Sequence, residues 1–347
     1  MAAGISYFRQ KGTFMSSSKP TANSINNKWL QEVPRDIIES FEESEPPVIF
    51  IGSGFGKEAI PPLKTGGELA EELRKELDLQ NNEDSLSELL QYLKNSRARA
   101  NRSVTDWLKK HLDHGKSEPG GAYRLLLELP SKIFLTTNYD YLLLDASHQM
   151  GHKLIPIDDP SSFESNYDDI KSRSKAGLLG RLHGSFEFQE NIVATTDDYI
   201  ERFLGDKRWQ EILENIFRNK RVVFIGYSLK DFTTWTSFIS VFTKWKNATF
   251  PHVLVSPNNS EHIRNFWNQY RVRYVPLKAY QFLITLHDQL GNLEKNKNIA
   301  IAAVAAHTGK TYNESLVEVE MQKKIYGYPS LELMALKMLM DGQNEDK

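Results

Sequence analysis

The sequence predicts an α/β protein: a Rossmann-like, doubly wound parallel sheet with helical insertions and a short helical C-terminal region. Three observations predict it. Short, wholly apolar runs recur along the chain. Segments of helical periodicity separate them. Each apolar run ends in small or polar residues.

The runs are Val48-Ile49-Phe50-Ile51, Ile133-Phe134-Leu135, Leu178-Leu179, Val222-Val223-Phe224-Ile225 and Val253-Leu254-Val255, with Val272 to Val275 as a sixth candidate. Several lack the apolar/polar alternation of a half-exposed strand, so they read as strands buried on both faces, as in a parallel sheet. Among the helical segments, Thr65-Gly66-Gly67-Glu68 has the form of a capping box, followed by Leu69, Leu73 and Leu77 at helical spacing. Leu86, Leu89, Leu90 and Leu93 share one face, as do Trp107, Leu108 and His111. Residues 207–219 carry Trp209, Ile212, Leu213, Ile216 and Phe217 on another. After about residue 290 the strand-like runs stop. Short helices are expected at 298–306, 314–325 and 331–340, the last with Leu331, Met334 and Met338. So apolar a helix must pack on its own domain or on another subunit.

The expected organisation is an N-terminal arm over 1–45, partly flexible; an α/β domain over 46–290 with a helical insertion at about 66–125; and a helical region over 291–347 for oligomer or partner docking. The chain has 347 residues, 40% of them hydrophobic and 25% charged, which suits a soluble globular protein. A formal net charge of -2 gives no bulk signal for nucleic acid or membrane. No apolar run is long enough to span a bilayer. The chain has no cysteine, which removes disulfides, thiolate-held zinc and a Cys nucleophile from consideration; a cytoplasmic protein fits.

In open α/β sheets, ligands bind beyond the carboxyl ends of the strands. The runs lead into Gly52-Ser53-Gly54-Phe55-Gly56, Thr136-Thr137-Asn138-Tyr139-Asp140, Arg181-Leu182-His183-Gly184-Ser185, Gly226-Tyr227-Ser228-Leu229-Lys230-Asp231 and Ser256-Pro257-Asn258-Asn259. Small, hydroxyl, amide and imidazole groups thus converge on one edge. The first loop suits a phosphate, through close backbone approach at glycine and a following helix N-terminus, or is simply a tight turn. It departs from the dinucleotide fingerprint, since Lys57 follows Gly56, and from the P-loop, since Ile51 and Glu58 stand where Gly and Ser/Thr belong. His183, with an ordinary pKa near neutrality, could act as general base. Asn138 could orient a water or a ribose hydroxyl, or cap a helix. Asp140 could bind a ribose or amide group, or favour a first helical turn.

Taken in order, Gly52-Ser53-Gly54, Ile60-Pro61, Thr137-Asn138-Tyr139-Asp140, His183-Gly184 and Gly226-Tyr227-Ser228-Leu229 resemble the ordered motifs of the sirtuin family, over about residues 48–277. The strings look most similar to the bacterial sirtuin-like domains of anti-phage defence, which destroy NAD+ rather than deacylating lysine. Two departures stand out. Pro62-Leu63-Lys64 replaces the family's Asp-Phe-Arg after Pro61, and the four cysteines of the deacylases' zinc ribbon are missing between His183 and Gly226.

The resemblance implies an NAD+ hydrolase, cytoplasmic and bacterial, that acts by NAD+ depletion. NAD+ would be substrate and no metal would be needed. Gly52, Ser53 and Gly54 would hold the diphosphate, with Thr137 beside them. Gly226 and Ser228 would hold the adenosine-side ribose or phosphate, with Asn258 near the adenosine. Asn138 would place water at the anomeric carbon, Asp140 would bind the nicotinamide end, and His183 would take the proton. Control by a homo-oligomer, or by a separate sensor or ATPase subunit, is implied too. The alternative is a module that binds NAD or ADP-ribose without turning it over.

Overall fold

The computed structural model describes residues 33–80, 84–96, 100–112, 115–172, 176–188, 191–227, 249–258 and 260–341. Seven parallel strands form one sheet in the order β5-β6-β4-β1-β7-β8-β9. They are β1 (Val48–Ile51), β4 (Ile133–Thr136), β5 (Lys153–Ile157), β6 (Ala176–Arg181), β7 (Val222–Ile225), β8 (His252–Val255) and β9 (Val272–Val275). A separate two-residue pairing joins β2 (Ala59–Ile60) to β3 (Glu118–Pro119) antiparallel. All six apolar runs are strands of the sheet. The edge strand β5 escapes the sequence pattern because only part of it is covered: Lys153 and Pro156 are exposed, Leu154 and Ile157 buried.

Alternate residues of each strand enter opposite cores. Ile49, Ile51, Phe134, Leu179, Val223, Ile225, Val253 and Val255 face one side. Val48, Phe50, Ile133, Leu135, Leu178, Val222, Phe224 and Leu254 face the other. Both faces are therefore covered, which is why the strands read as continuous apolar runs. All four side chains of β1 are buried. At about 1.5–3 kcal/mol for each fully buried aliphatic or Phe side chain, burial outweighs the β-propensity of so short a segment.

The first face packs on α1 (Arg35–Ser40), α5 (Gly121–Leu127), α6 (Leu142–Gln149) and α11 (Ala279–Gln289). The same core takes in α12 (Lys297–Thr308), α13 (Tyr312–Tyr326) and α14 (Leu331–Asp341). The second face packs on α7 (Pro160–Ser172), the short α8 (Thr196–Ile200), α9 (Lys207–Asn219) and α10 (Glu261–Asn268). The chain order, leaving β1 first for β4 and later for β7, makes β1 the switch point of the doubly wound sheet.

A third core lies in the helical insertion. Leu69 and Leu73 of α2 (Gly66–Glu76), Leu89, Leu90 and Leu93 of α3 (Leu86–Ser96), and Trp107 and Leu108 of α4 (Ala100–His111) pack together with Phe186 and Ala194. The capping box forms as read: Thr65 accepts from the Glu68 amide, and Glu68 accepts from the Thr65 amide at 2.7 Å. The insertion core ends with Leu112, and α5 belongs to the sheet's core.

On α14, Leu333 is exposed while Met334, Ala335 and Leu339 are buried in the main core. Their partner is α12, a helix apolar all round, with Ile299 to Ala306 buried. On α13 an exposed apolar stripe runs through Val317, Met321 and Ile325, which follow at i, i+4 and i+8 and are each more than half exposed. Among the described residues no helix is long and apolar enough to cross a membrane. Residues 1–32 of the N-terminal arm lie outside the described residues; Val33, Ile37 and Phe41 are already core.

Candidate active site at the sheet's carboxyl edge

The sheet order arranges the candidate residues in a row. Reading across β6, β4, β1, β7 and β8, the carboxyl ends carry His183, then Asn138 and Asp140, then Gly52 to Gly54, then Gly226, then Asn258. Four inter-strand steps of about 4.8 Å make the row roughly 19 Å long. Ser228 lies outside the described residues.

At the centre of the row, β1 and β7 close on each other through backbone. The Gly52 amide donates to the Ile225 carbonyl at 3.0 Å, and the Gly54 amide to the Gly226 carbonyl at 2.7 Å. Gly226 has φ +68°, and a Cβ there would meet the Phe55 nitrogen at 2.2 Å. A Cβ on Gly52 would meet the Gly226 oxygen at 2.6 Å. These glycines are thus required by loop-on-loop packing, whatever else they do.

The expected helix N-terminus after Gly54 is not there. Residues Ser53–Glu58 form a short 3-10 turn leading into β2. The glycines at 54 and 56 disfavour an α-helix, and the Gly54 and Phe55 amides are bonded to Gly226 and Gly52. What this loop leaves toward a ligand is the exposed Ser53, whose hydroxyl accepts from the Gly66 amide at 3.3 Å.

The β4 loop is tied to the same centre. Thr136 Oγ1 donates to the Ile51 carbonyl at 3.1 Å and accepts from the Asn138 amide at 3.0 Å. The Thr137 amide reaches the Ile51 carbonyl at 3.4 Å. Asn138 does not cap α6. Its Nδ2 donates to the Gly52 carbonyl at 3.2 Å, linking the loops of β4 and β1. Its Oδ1 is enclosed and has no hydrogen-bond partner. Asp140 accepts from the Leu142 amide at 3.1 Å, so it does steady the start of α6. Its carboxyl is enclosed, although the residue as a whole is half-buried, and burial pushes its pKa up to about 6 against hydrogen bonds that hold it down.

His183 is 4% exposed. Tyr199 stands edge-on to its ring at 5.0 Å, with Tyr139 at 5.9 Å and Phe203 at 6.5 Å. The imidazole hydrogen-bonds the Thr137 backbone. The other ring nitrogen, Nε2, is enclosed without a partner. Burial first, and the nearby Arg202 guanidinium second, push the pKa down to about 3. The expectation of a near-neutral imidazole is therefore corrected: in this enclosure the ring is uncharged throughout the physiological range. The uncharged Nε2 of His183 and the amide oxygen of Asn138, each at the end of one of two adjacent strands, are acceptors suited to hydroxyl or water hydrogens.

Sequence reasoning missed the group that braces this corner. Arg181 donates to both carboxylate oxygens of Asp158 at 2.6 and 3.2 Å, and Ser185 Oγ donates to Asp158 at 2.8 Å. Arg202 donates to the Asp158 and Asn191 carbonyls at 3.1 and 2.8 Å. Arg181 stood in the string that flags His183. Asp158, just past the edge strand β5, gave no signal. A cavity of about 510 Å³ opens beside Asp140, lined by Leu63, Asp140, Tyr141, Asp145, Arg181 and Glu187 among others. At the far end of the row, Asn258 is exposed, and its Oδ1 accepts from the Ser260 amide at 3.0 Å.

Part of the chain is similar to known proteins. Residues 132–275, from β4 to β9, match the family model of the SIR2-like domain. The chain is 30% identical over 167 residues to "NAD(+) hydrolase ThsA" of Cytobacillus dafuensis, covering 47% of this chain and 31% of that protein. It is 27% identical over 203 residues to the protein of the same name from Acinetobacter baumannii (strain 532279), covering 56% and 39%. A 30% identity over 101 residues relates it to "Defense-associated sirtuin 2" of Bacillus subtilis, covering 28% of this chain and 9% of that protein. The aligned stretch thus spans between 31% and 39% of the two hydrolases' own length.

Proposed function

With residues 132–275 of this chain a SIR2-like domain, we propose that the protein is an NAD+ glycohydrolase, cleaving the bond between nicotinamide and ribose to give nicotinamide and ADP-ribose. The observation that carries the proposal is the pair of enclosed, partnerless acceptors, Asn138 Oδ1 and His183 Nε2, at the ends of the adjacent strands β4 and β6. Buried polar atoms left unpaired are rare and costly, and here two stand at the carboxyl edge where an α/β sheet takes its ligand. The row of loops matches the reach of an extended dinucleotide. Its diphosphate would lie over Ser53 at the switch point, the adenosine toward Gly226 and Asn258, and the nicotinamide toward Asp140.

The chemistry follows from these groups. Departure of nicotinamide leaves an oxocarbenium-like ribose, as in glycoside cleavage. Asn138 Oδ1 accepts a hydrogen bond from the attacking water and so aims its oxygen at the anomeric carbon. His183 Nε2, uncharged, accepts from a ribose hydroxyl or from that water. A ring held near pKa 3 is a weak base, so its part is to receive a proton that becomes acidic only as the cation forms. Asp140, ionised above about pH 6, faces the positive end of the substrate. The electrostatic match to a developing cation contributes more here than base strength.

The relatives' printed names support the hydrolysis and a role in bacterial defence. An unrestrained enzyme of this kind would empty its cytoplasm of NAD+. Control by assembly of copies, or by a separate sensor or ATPase subunit, belongs to the proposal, and the exposed stripe of α13 is a surface such contacts could use.

The test is purified protein with NAD+, reading nicotinamide and ADP-ribose by chromatography. Release by the wild type and loss of at least about a hundredfold in Asn138→Ala and His183→Ala is expected, general base and positioning groups contributing on this order. Binding of NAD+ with no release under any assembly state would refute hydrolysis and leave the binding module. A monomer active at all concentrations would refute control by assembly.

A further inference from the structure

The guanidinium of Arg181 is only two-thirds used. The side chain is 4% exposed, Nε and NH2 are spent on Asp158, and NH1 is enclosed with no acceptor. The group is fixed rather than loose, for Asp158 also holds Ser185 Oγ and the Tyr141 ring stands 5.4 Å from the guanidinium carbon. Arg181 and Asp140 line the same cavity. A charged donor buried without a partner is among the more costly omissions a fold can carry, and the residue that carries it lines the cavity.

The rest of the lining decides what would complete it. Arg181 is already matched by Asp158, and the same wall carries Asp140, Asp145 and Glu187. An anion would meet three carboxylic acids against one neutralised guanidinium and the His148 imidazole, so the cavity disfavours anions. It suits a neutral polar group attached to a cationic or uncharged ring. Asp140 offers an acceptor and Arg181 a donor. A primary carboxamide has one of each to give in return, its NH2 to the carboxylate and its carbonyl oxygen to the guanidinium.

Resting on the hydrolase reading for the identity of the substrate, we propose that Arg181 is a specificity-determining residue that donates from NH1 to the carbonyl oxygen of the nicotinamide carboxamide. Asp158 and Ser185 position it for this. The pair Asp140 and Arg181 then reads both ends of the amide and rejects the corresponding carboxylic acid. Leu63, on the same lining, supplies an apolar contact for the ring.

The experiment measures binding of four free ring compounds to the full chain by calorimetry or ligand-observed NMR, separately from NAD+ turnover. Nicotinamide is expected to bind. Thionicotinamide, a poorer acceptor at the carbonyl position, should bind about five- to tenfold more weakly, from the size of a hydrogen bond to a charged group. 3-Acetylpyridine, which keeps the carbonyl and lacks the NH2, should also bind more weakly, through Asp140. Nicotinate should bind most weakly of the four. In Arg181→Lys, which keeps a charge beside Asp158 but has no third nitrogen in that plane, the gap between nicotinamide and thionicotinamide should shrink to under about twofold. The 3-acetylpyridine gap should remain. Should that variant melt early, the pair Arg181→Met with Asp158→Leu removes both buried charges together, an exchange buried ion pairs often tolerate, and the same collapse is expected. Equal binding of nicotinamide and thionicotinamide to the wild type, or tighter binding of nicotinate, overturns the proposal. Either result with NAD+ still hydrolysed rejects the role of Arg181 alone; no ring binding and no hydrolysis rejects both readings.

Discussion

Replacing Gly226 by alanine tests whether the switch point is held by backbone contact. The residue has φ +68°, where an L side chain costs about 1–2 kcal/mol. Its Cβ would also lie 2.2 Å from the Phe55 nitrogen and 2.8 Å from the Gly54 carbonyl carbon. Those neighbours are backbone and cannot swing away, so an overpacking cost of about 1–3 kcal/mol is added. The sum is about 2–5 kcal/mol.

Gly309 isolates the backbone contribution. It caps α12 at φ +67°, and a Cβ added there would find nothing within 4 Å, so Gly309→Ala should cost only the backbone part, about 1–2 kcal/mol. At about 2.1 cal/mol/K of unfolding entropy per residue, a chain of this length loses roughly 1.4 °C per kcal/mol. Gly226→Ala should then lower Tm by roughly 3–7 °C and Gly309→Ala by roughly 1–3 °C, read side by side by calorimetry. Equal losses would show that the loops of β1 and β7 separate without cost, and the account of the glycine-lined centre would fall.

Other outcomes follow from the same structure. Burial raises the Glu58 pKa to about 7, against the Tyr280 backbone and Lys278, which lower it. Because the folded value lies above the unfolded one, the carboxyl penalises the fold increasingly as pH rises from about 4.5 to 7; Glu58→Gln should gain Tm over the wild type at pH 8 and show little gain at pH 5, and a constant difference would contradict the burial. His252 and His287 are buried with pKa values pushed down to about 3 and about 4. Their contribution is present above pH 6.5 and declines as pH falls toward 4, so His287→Gln should flatten the acid limb of a Tm-against-pH curve. Asp158→Ala removes one partner of a buried ion pair and should cost about 3–5 kcal/mol in urea unfolding. By contrast Glu39→Ala, which breaks the exposed pair with Arg35, should cost under about 1 kcal/mol; similar losses would show that the Arg181 corner is not the brace described.

Six of the sheet's seven strands, and the positions of the loops that matter, are legible in the residues alone. The apolar runs became strands because the central ones are buried on both faces, a condition composition records directly, while the edge strand β9 leaves Arg273 part-exposed. The capping box at Thr65 and the helix over 207–219 were equally legible, since caps and 3.6-residue periodicity are local. Order along the chain also placed Asn138, Asp140 and His183 after strands, where ligands bind. The rest depends on contacts between segments far apart in sequence. Gly52 and Gly54 read as a phosphate loop, yet their immediate partner is Gly226, some 170 residues on, and no local pattern announces a close approach of two backbones. His183 read as near neutral, because a reference pKa knows nothing of the enclosure by Tyr139, Tyr199 and Phe203 or of Arg202 beside it. The apolar helix over 331–340 had to pack on its own domain or on another subunit; Met334, Ala335 and Leu339 pack into the core with α12, Leu333 stays exposed, and a further exposed stripe lies on α13. The bracing of Arg181 by Asp158 was invisible for the same reason: a buried ion pair is a property of two distant residues meeting, and neither one carries a mark of the other.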